Sequence, residues 1–418
     1  MSLAWAAYRV VAPVLGAAAP AAGLFASPRQ RPLWGERLGR VAEPGPVDAW
    51  IHAASLGEAL AVGPLVSRLE ALQPGARLHL TAMTTGGRAR LAALGPRHSL
   101  APLDAPQTVA RFLDRLRPRR VFLLETELWP HWLLAARHAR IPVAVISARL
   151  SPRSLERYAR LGPDFRTLIG TLAGVLCQSA ADQARWLALG APAARTAEVG
   201  NLKDDALPEP AVADRGSARG KVGLDRGRPL LVLGSLRPGE VRLLAQAWGA
   251  LPEALRAGWQ VVAVPRHPRA SAELRAEAAK AGQAVTVNGA AAGGAWRWDD
   301  RLGVLPGYYA AADVAVVGGA FARRGGHNPL APAACGTPVV IGAHHWAQAD
   351  AVAALVAAGA CRVAAGPGEV TSALQLWLGN TAGRAAAGAA ALEAVRARRG
   401  ASGRAVARLA AWDLWPAA

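Results

Sequence analysis

Cysteine is scarce in this chain, which has only three among its 418 residues. Cys177, Cys335 and Cys361 are far apart, and each lies in an apolar segment. Such spacing forms neither a disulfide framework nor a zinc-binding pattern. The cysteines therefore exclude a small disulfide-stapled domain and indicate a reducing compartment.

Lysine is equally scarce. The chain has three lysines, so 45 of its 48 basic residues are arginine. The formal net charge of +19 predicts an anionic partner such as a nucleotide, a phospholipid or a nucleic acid. The preference for arginine, together with abundant alanine and glycine, indicates a genomic composition bias, so much of the charge belongs to solvated surface. The basic residues are scattered, without a basic helix or an RNP-like aromatic motif, and we expect no nucleic-acid partner.

The N-terminal segment lacks the unbroken apolar run of about 20 residues that a spanning helix needs. Residues 1–26 are apolar and alanine-rich, but Pro13 and Pro20 interrupt them, and arginines follow up to Arg40. No clear cleavage-site context marks a signal peptide. We expect residues 1–40 to lie on a membrane surface, with arginines towards anionic headgroups. A spanning helix and an ordinary packed helix are the alternatives.

The rest of the chain has an α/β pattern, and its length favours two domains. Strands are predicted at residues 49–53, 78–81, 121–124, 142–146, 175–178, 230–233, 260–264, 314–317 and 339–341. Helical segments between them predict parallel sheets, whose binding crevice lies at the carboxyl ends of the strands. We predict domains at 41–205 and 229–395, an aperiodic linker at 206–228 and a helical tail at 396–418. Residues 288–294 are predicted to be a surface loop.

Polar residues follow several of these strands. Those in the first half are Ser55, Glu58, Thr84, Thr85, Glu125 and Glu127. Glu125 and Glu127 are two positions apart, so in an extended segment both point the same way. This clustering at strand ends predicts a site in the first domain.

A glycine-rich stretch follows the predicted strand at 314–317. Gly325 and Gly326 precede His327-Asn328-Pro329, which reads as the start of a helix. Backbone amides and a helix N-terminus at this point predict a phosphate site. The alternative is a glycine-rich turn without a ligand. Two Rossmann-like halves joined by a linker, with a nucleotide on the second half, are the plan of a two-domain glycosyltransferase.

Several sequence runs are similar to those of one family. They are HAASLGE at 52–58, TTGG at 84–87, ETELWP at 125–130, SARLSPRS at 147–154, GNLKDD at 200–205, PRHP at 265–268 and GGAFARRGGHNPL at 318–330. They occur in the family's order along nearly the whole chain. In these runs the chain resembles the 3-deoxy-D-manno-octulosonic acid (Kdo) transferases.

The resemblance implies an α/β, GT-B fold, in which two Rossmann-like domains face each other across a cleft. It implies transfer of Kdo from the donor CMP-Kdo to the acceptor, a sugar hydroxyl of the lipid A precursor, in lipopolysaccharide core biosynthesis. It also implies no cofactor, no tightly bound metal, and a location on the cytoplasmic side of the cell inner membrane, against its anionic surface.

The resemblance also implies roles for individual residues. Glu58 is expected to be the general base of an inverting transfer, and the Lys203 ammonium to neutralise charge that develops in the transition state. Glu125 and Glu127 are further catalytic candidates whose separate roles stay open. Donor-binding candidates are Ser235, Arg266, His267, Gly325, Gly326, His327 and Asn328, and acceptor-binding candidates are Ser55, Thr84, Thr85 and Arg149.

The chain departs from the family pattern in its second half. Ala331 stands where the family has a glutamate that would accept ribose hydroxyls, and Leu236-Arg237 stand in place of Thr-His. Ala320 and Ala347 replace a serine and an asparagine. These departures leave a relative with an altered donor, or a non-catalytic relative that binds lipid A, as alternative functions.

Overall fold

The structure, a computed structural model, describes residues 2–28, 30–95, 97–207, 214–287, 289 and 294–417. The chain divides into two compact units. The first unit comprises residues up to Ala206 together with those from Arg398 onward, and the second comprises Leu207–Ala397.

The first unit contains a sheet of seven parallel strands in the order β3-β2-β1-β4-β5-β6-β7. The strands are β1 (Ala49–His52), β2 (Leu78–Ala82), β3 (His98–Leu100), β4 (Val121–Leu124), β5 (Val143–Ala148), β6 (Gly174–Cys177) and β7 (Thr196–Glu198). Strands such as β4, with the sequence VFLL, are buried along their length because helices cover both faces of a parallel sheet.

The helices of this part of the chain connect the strands. They are α1 (Leu3–Ala22), α2 (Arg31–Arg37), α3 (Leu56–Leu72), α4 (Thr85–Leu91), α5 (Pro106–Leu116), α6 (Pro130–His138), α7 (Pro152–Ala159), α8 (Pro163–Ile169), α9 (Ala180–Leu189) and α10 (Leu202–Asp205). Side-chain caps begin several of them: Ser55 caps α3 and Thr84 caps α4. Both caps directly follow a strand, which places the N-termini of these helices at the carboxyl edge of the sheet.

The second unit repeats this architecture, with a parallel sheet in the order β10-β11-β9-β8-β12-β13-β14. The strands are β8 (Leu230–Leu236), β9 (Gln260–Pro265), β10 (Val285–Val287), β11 (Trp296–Trp298), β12 (Val314–Val317), β13 (Val339–Gly342) and β14 (Cys361–Ala364). The helices are α11 (Arg215–Lys221), α12 (Val241–Gly249), α13 (Glu253–Ala257), α14 (Ser271–Lys280), α15 (Leu305–Ala311), α16 (Leu330–Ala333), α17 (Ala349–Ala357), α18 (Pro367–Gly379) and α19 (Thr381–Arg398).

The N-terminal helix α1 continues through Pro13 and Pro20, so the expectation that the prolines break it is wrong. One face packs on the first unit: Trp5 lies against Phe165, and Gly16 lies against Ala105. The other face is apolar and exposed. Residues Leu3–Phe25 form a segment long and apolar enough to cross a membrane, and 22% of an apolar 18-residue stretch within it is buried in the protein.

The unit boundaries differ from the predicted ones at two places. Within the predicted linker, residues 208–213 lie outside the described residues, but α11 belongs to the second unit. Its Arg219 is buried and pairs with Asp313, 2.5 Å away. The final helix, α20 (Ala401–Ala411), packs on α3 of the first unit. The predicted tail is therefore part of the first unit's core.

All nine predicted strands are present, and five further strands were not predicted. Strands β3, β7, β10 and β11 have three residues each, too few to establish a period, and two of the four residues of β14 are exposed. Most of the loop predicted at 288–294 lies outside the described residues. Helix α4 begins at Thr85, directly after its cap.

Candidate active site

The first unit brings its polar residues together where the strand order reverses. Strands β1 and β4 are neighbours, although β2 and β3 lie between them in sequence. Such a reversal leaves an open crevice at the carboxyl ends of the two strands. Ser55 and Glu58 follow β1, and Glu125 and Glu127 follow β4.

Glu58 lies in the first turn of α3 with only 7% of its surface exposed. Its carboxylate accepts hydrogen bonds from the backbone N–H of Ala54 at 2.9 Å and from the Ser55 hydroxyl at 2.7 Å. Burial, and then the nearby charge of Glu125, raise the pKa of Glu58 to about 7. The carboxylate thus caps its own helix and also has the pKa of a general base that works near neutral pH.

Glu125 is in a left-handed backbone conformation, with φ of 58°. The segment after β4 is therefore a turn, and the expectation that Glu125 and Glu127 point the same way from an extended strand is wrong. Non-glycine residues adopt this conformation at a cost of about 1–3 kcal/mol, and such residues cluster at functional sites. The Glu125 carboxylate forms an ion pair with the Lys203 ammonium.

Lys203 is held in place by its own helix. Asn201 caps the N-terminus of α10, and the Leu202 N–H donates to the hydroxyl of Ser147 at 3.2 Å. Ser147, at the end of β5, is also left-handed, with φ of 54°. The lysine predicted to be catalytic is thus joined to the edge of the sheet that carries Glu125.

Glu127 has different partners. The indole N–H of Trp129 donates to its carboxylate at 2.7 Å, and Nε2 of the fully buried His52 lies 3.7 Å from it. Burial alone would raise the pKa of Glu127, but His52 and Trp129 lower it below its usual range. Glu125 and Glu127 therefore have separate environments. His52 is not among the residues predicted for the site, although it lies one residue before the end of the strand predicted at 49–53.

The acceptor-binding candidates lie at the same edge of the first sheet. Thr84 is exposed and its hydroxyl caps α4 by accepting from the Gly87 N–H, while Thr85 is exposed in the first turn. The Met83 N–H donates to the Ala54 carbonyl at 3.0 Å, which places this turn beside the Glu58 turn. Arg149 follows β5 and is half-buried, and its carbonyl accepts from the hydroxyl of Thr126.

The second unit also has a reversal of strand order, between β8 and β12. Ser235 at the end of β8 has φ of 58°, and its carbonyl lies against Gly318, where a Cβ atom would be 2.6 Å away. Arg266 and His267 follow β9, and His327 lies in the segment after β12. These donor-binding candidates all lie at the carboxyl edge of the second sheet.

Cations converge at this edge. The positive charges of Arg266 and Arg237, together with His267, contribute to lowering the pKa of His327, after the larger effect of burial. The Nε atom of Arg237 is buried and has no hydrogen-bond partner among the described residues. Two arginine side chains without an acidic side-chain partner in the described contacts are suited to an anion such as a phosphate. We call the two arginines, Arg237 and Arg266, together with the adjoining imidazoles of His267 and His327, the cationic cluster.

His327 is the most buried member of the cationic cluster. Its pKa is lowered to about 4, so the imidazole is neutral at pH 7. Its Nε2 atom is buried without a hydrogen-bond partner among the described residues, and its ring lies on Gly319. An unsatisfied buried polar atom is costly, and a ligand that bonds to it would remove that cost.

The predicted phosphate cradle of backbone amides needs correction. The N–H of Gly326 donates to the Gly319 carbonyl at 2.8 Å, and that of His327 to the Gly318 carbonyl at 3.1 Å. Gly325 and Gly326 have φ of 89° and 83°, so they serve to turn the chain. Helix α16 has only four residues, which gives it little dipole. Side chains are therefore the better candidates for holding an anion here.

The remaining candidates have structural contacts as well. Asn328 accepts the Leu330 N–H through Oδ1 at 2.9 Å, which leaves its Nδ2 as the donor for a ligand. Ala331 is half-buried in α16, and the Ala347 N–H donates to the Gly325 carbonyl at 2.9 Å. Within the described ranges, no group of three His, Cys, Asp or Glu side chains could hold a metal ion.

The fold is similar to those of nucleotide-sugar proteins of known structure. One is the UDP-GlcNAc 2-epimerase of Neisseria meningitidis bound to UDP-GlcNAc, with a TM-score of 0.60, 13% identity, and coverage of 86% of this chain and 99% of that one. Another is the Anabaena protein HepE in complex with UDP-glucose, with a TM-score of 0.59, 14% identity, and coverage of 88% and 99%. The fold is thus of the GT-B class.

The sequence comparisons identify the family within that class. Residues 33–206 match the family model of 3-deoxy-D-manno-octulosonic-acid transferase (kdotransferase). The chain is 40% identical over 345 residues to the 3-deoxy-D-manno-octulosonic acid transferase of Bordetella pertussis, covering 78% of each. It is 30% identical over 332 residues to that of Haemophilus influenzae, covering 76% of each. The chain belongs to the Kdo transferase family of glycosyltransferases.

Proposed function

We propose that this protein transfers Kdo from CMP-Kdo to a sugar hydroxyl of the lipid A precursor. The observation that carries the proposal is Glu58, a buried carboxylate with a pKa of about 7 at the strand-order reversal of the first sheet. Membership of the Kdo transferase family supplies the donor and the acceptor. A general base must lose its proton near the working pH, and a pKa of about 7 meets that requirement.

In the proposed reaction, the oxygen of the acceptor hydroxyl attacks the anomeric carbon of Kdo. Glu58 accepts the proton of that hydroxyl. The bond from that carbon to the phosphate oxygen breaks, and CMP leaves with the bonding electron pair. Attack on the face opposite the leaving phosphate inverts the anomeric configuration. The Glu125 carboxylate, which is ion-paired with Lys203, contributes to the raised pKa of Glu58 and so to its ability to accept a proton near neutral pH.

The cationic cluster of the second unit is the proposed site of the donor phosphate. Arg237 and Arg266 supply charge, and the neutral His327 supplies a hydrogen bond from a position where Nε2 has no other described partner. Arg237 stands where the family has a histidine, so this chain places a permanent charge at that position. The additional arginine offsets part of the binding that the Ala331 departure removes.

We further propose that α1 attaches the protein to the cytoplasmic face of the inner membrane. Its exposed face carries Val10, Val14 and Leu15, and Leu24 and Phe25 follow it, with exposed fractions of 63–88%. An apolar face of this kind inserts into the boundary between headgroups and acyl chains. The packed face of the same helix would keep the catalytic unit at that surface.

Incubation with CMP-Kdo and the lipid A precursor, analysed by mass spectrometry, tests the transfer. We expect an acceptor heavier by one or more Kdo residues, together with free CMP. Binding of the lipid A precursor without any product would favour the non-catalytic alternative, which the loss of the usual glutamate at Ala331 motivates. Transfer from another CMP-sugar, with none from CMP-Kdo, would favour the altered donor.

A further inference from the structure

Glu240 is a carboxylate buried completely in the second unit, and its described partners are all backbone N–H groups. Oε1 accepts from Gly319 at 2.8 Å, Phe321 at 3.0 Å and Ala322 at 3.2 Å. Oε2 accepts from Arg237 at 2.9 Å and also from Gly319 at 2.9 Å. Burial raises the pKa of this carboxyl, and the amide hydrogen bonds oppose that effect.

These contacts join two loops that are far apart in sequence. Arg237 belongs to the loop between β8 and α12, and residues 319–322 belong to the loop after β12. The two loops meet at the strand-order reversal of the second sheet. Glu240 is therefore a single side chain that sets the distance between them.

Backbone contacts of the second loop connect Glu240 to His327. The His327 N–H donates to the Gly318 carbonyl, the Gly326 N–H donates to the Gly319 carbonyl, and the His327 ring lies on Gly319. A change in the position of residues 318–319 must therefore move the imidazole. Two of the four members of the cationic cluster, Arg237 and His327, thus depend on Glu240 through backbone contacts.

Burying a carboxylate beneath the loops costs free energy, because the ionised group loses its hydration, although the amides of four residues bind it. The charged carboxylate gives the donor-phosphate site an ordered pair of loops, which neutral packing would not fix in the same way. A negative charge beneath the loops orients their N–H groups inward and leaves the side chains of Arg237 and His327 for a ligand. Preorganised groups of this kind lower the cost of ordering when an anion binds.

We propose that Glu240 is the positioning residue of the donor-phosphate site, acting through Arg237 and His327 without touching the donor. The proposal rests on the proposed function for the identity of the ligand. The arrangement of the loops can be measured without any ligand, so the two proposals can fail separately.

The experiment compares Glu240→Gln and Glu240→Ala with Glu277→Gln as a matched control. The Glu277 carboxylate accepts the N–H groups of Gly239 at 2.7 Å and Val241 at 3.2 Å, on the same β8–α12 connection, but none from residues 319–322. Glutamine at position 240 retains one acceptor oxygen, whereas alanine retains none. We therefore expect a graded effect from the two variants, and none from the control.

Titration calorimetry with CMP measures the first readout. We expect the Kd for CMP to rise about tenfold in Glu240→Gln and about a hundredfold in Glu240→Ala, since each lost bond to a charged group weakens the site. We expect the KM for CMP-Kdo to rise more than kcat falls in Glu240→Gln. A loss of thermal stability with unchanged Kd and KM, measured well below the melting temperature, would show a merely structural role and overturn the proposal.

Hydrogen exchange of the peptide covering residues 318–327, in the absence of ligand, gives the second readout. We expect faster exchange in both Glu240 variants and wild-type exchange in Glu277→Gln. Unchanged exchange in Glu240→Ala, or an equal loss in Glu277→Gln, would refute the positioning role. If the wild type binds no CMP while the exchange pattern is as expected, the proposed donor is wrong and the positioning role stands.

Discussion

The raised pKa of Glu58 leads to a prediction about the pH dependence of the reaction. Only the ionised carboxylate can accept the proton of the acceptor hydroxyl. The transfer rate should therefore rise with pH and level off above about 7, the pKa of Glu58. Glu58→Gln preserves an oxygen that can accept the Ala54 N–H, so the helix cap should survive while the base is lost.

The expected loss in rate follows from the contribution of a general base. Positioned proton transfer contributes roughly 10²–10⁴-fold in rate, which is about 3–5 kcal/mol in the activation free energy. Glu58→Gln should therefore reduce kcat at pH 8 by at least a hundredfold, while CMP binding stays near the wild-type value. Glu70→Gln, an exposed substitution on the same helix α3, is the control and should leave kcat unchanged.

The same pKa predicts an effect of opposite sign on stability. The folded state holds the Glu58 proton more tightly than the unfolded state, because the pKa rises from its ordinary 4.5 to about 7. The corresponding stability is present in full below pH 4.5 and is lost as the pH rises through 7. At 1.36 kcal/mol for each pH unit, the loss is about 3 kcal/mol. Glu58→Gln avoids it, so the variant should gain stability relative to the wild type across this window.

Assays of initial rate and urea unfolding from pH 5 to 9 measure both effects. A second variant, Glu125→Gln, removes the neighbouring charge that helps to raise the Glu58 pKa, so the midpoint of the remaining activity should move to lower pH. The reasoning is refuted if the rate of the wild type is flat between pH 5 and 9. It is also refuted if Glu58→Gln retains the wild-type pH profile.

Three further predictions concern the donor site and the membrane. Arg237→Ala should weaken CMP binding about tenfold in calorimetry, whereas Arg242→Ala, an exposed substitution on α12, should not; equal losses would point to general charge attraction. Ala331→Glu should tighten CMP about tenfold by restoring an acceptor for ribose hydroxyls, and an unchanged Kd would mean that the ribose is held elsewhere. Val14→Glu should reduce sedimentation with anionic phospholipid vesicles, and Val356→Glu, an equally apolar exposed site in the second unit, should not; retention of binding by Val14→Glu would place the contact elsewhere.

The parts of the fold that the sequence predicted are those with strong local signals. Val314–Val317 is predicted with its observed bounds, because four apolar residues lie between Asp313 and Gly318, residue types that are rare in strands. His98–Leu100 was missed because three residues at a sheet edge show no period. The sequence motifs also predicted which side chains follow which strands, since polar residues after apolar runs mark the carboxyl edge of a parallel sheet.

The errors at the site come from backbone geometry. The left-handed turn at Glu125 cannot be read from a glutamate, which normally avoids that conformation. The N–H of Gly326 was expected to bind phosphate, but it donates to the carbonyl of Gly319. The N–H of Gly319 in turn donates to Glu240, a residue that precedes another helix. Arg237 was read as a departure from the family, and only the fold shows that it joins the cationic cluster.

The return of the C-terminal helix to the first unit has a consequence for biosynthesis. Ala401–Trp415 supplies apolar side chains to the core beneath β1 and β2, and the indole of Trp415 donates to the Leu69 carbonyl at 3.1 Å. On the ribosome these residues emerge only after the whole second unit has been translated. The core of the first unit therefore stays incomplete, with apolar residues exposed, until Ala401–Trp415 has been synthesised. Nascent chains that stall before residue 401 should accordingly engage chaperones through their first half.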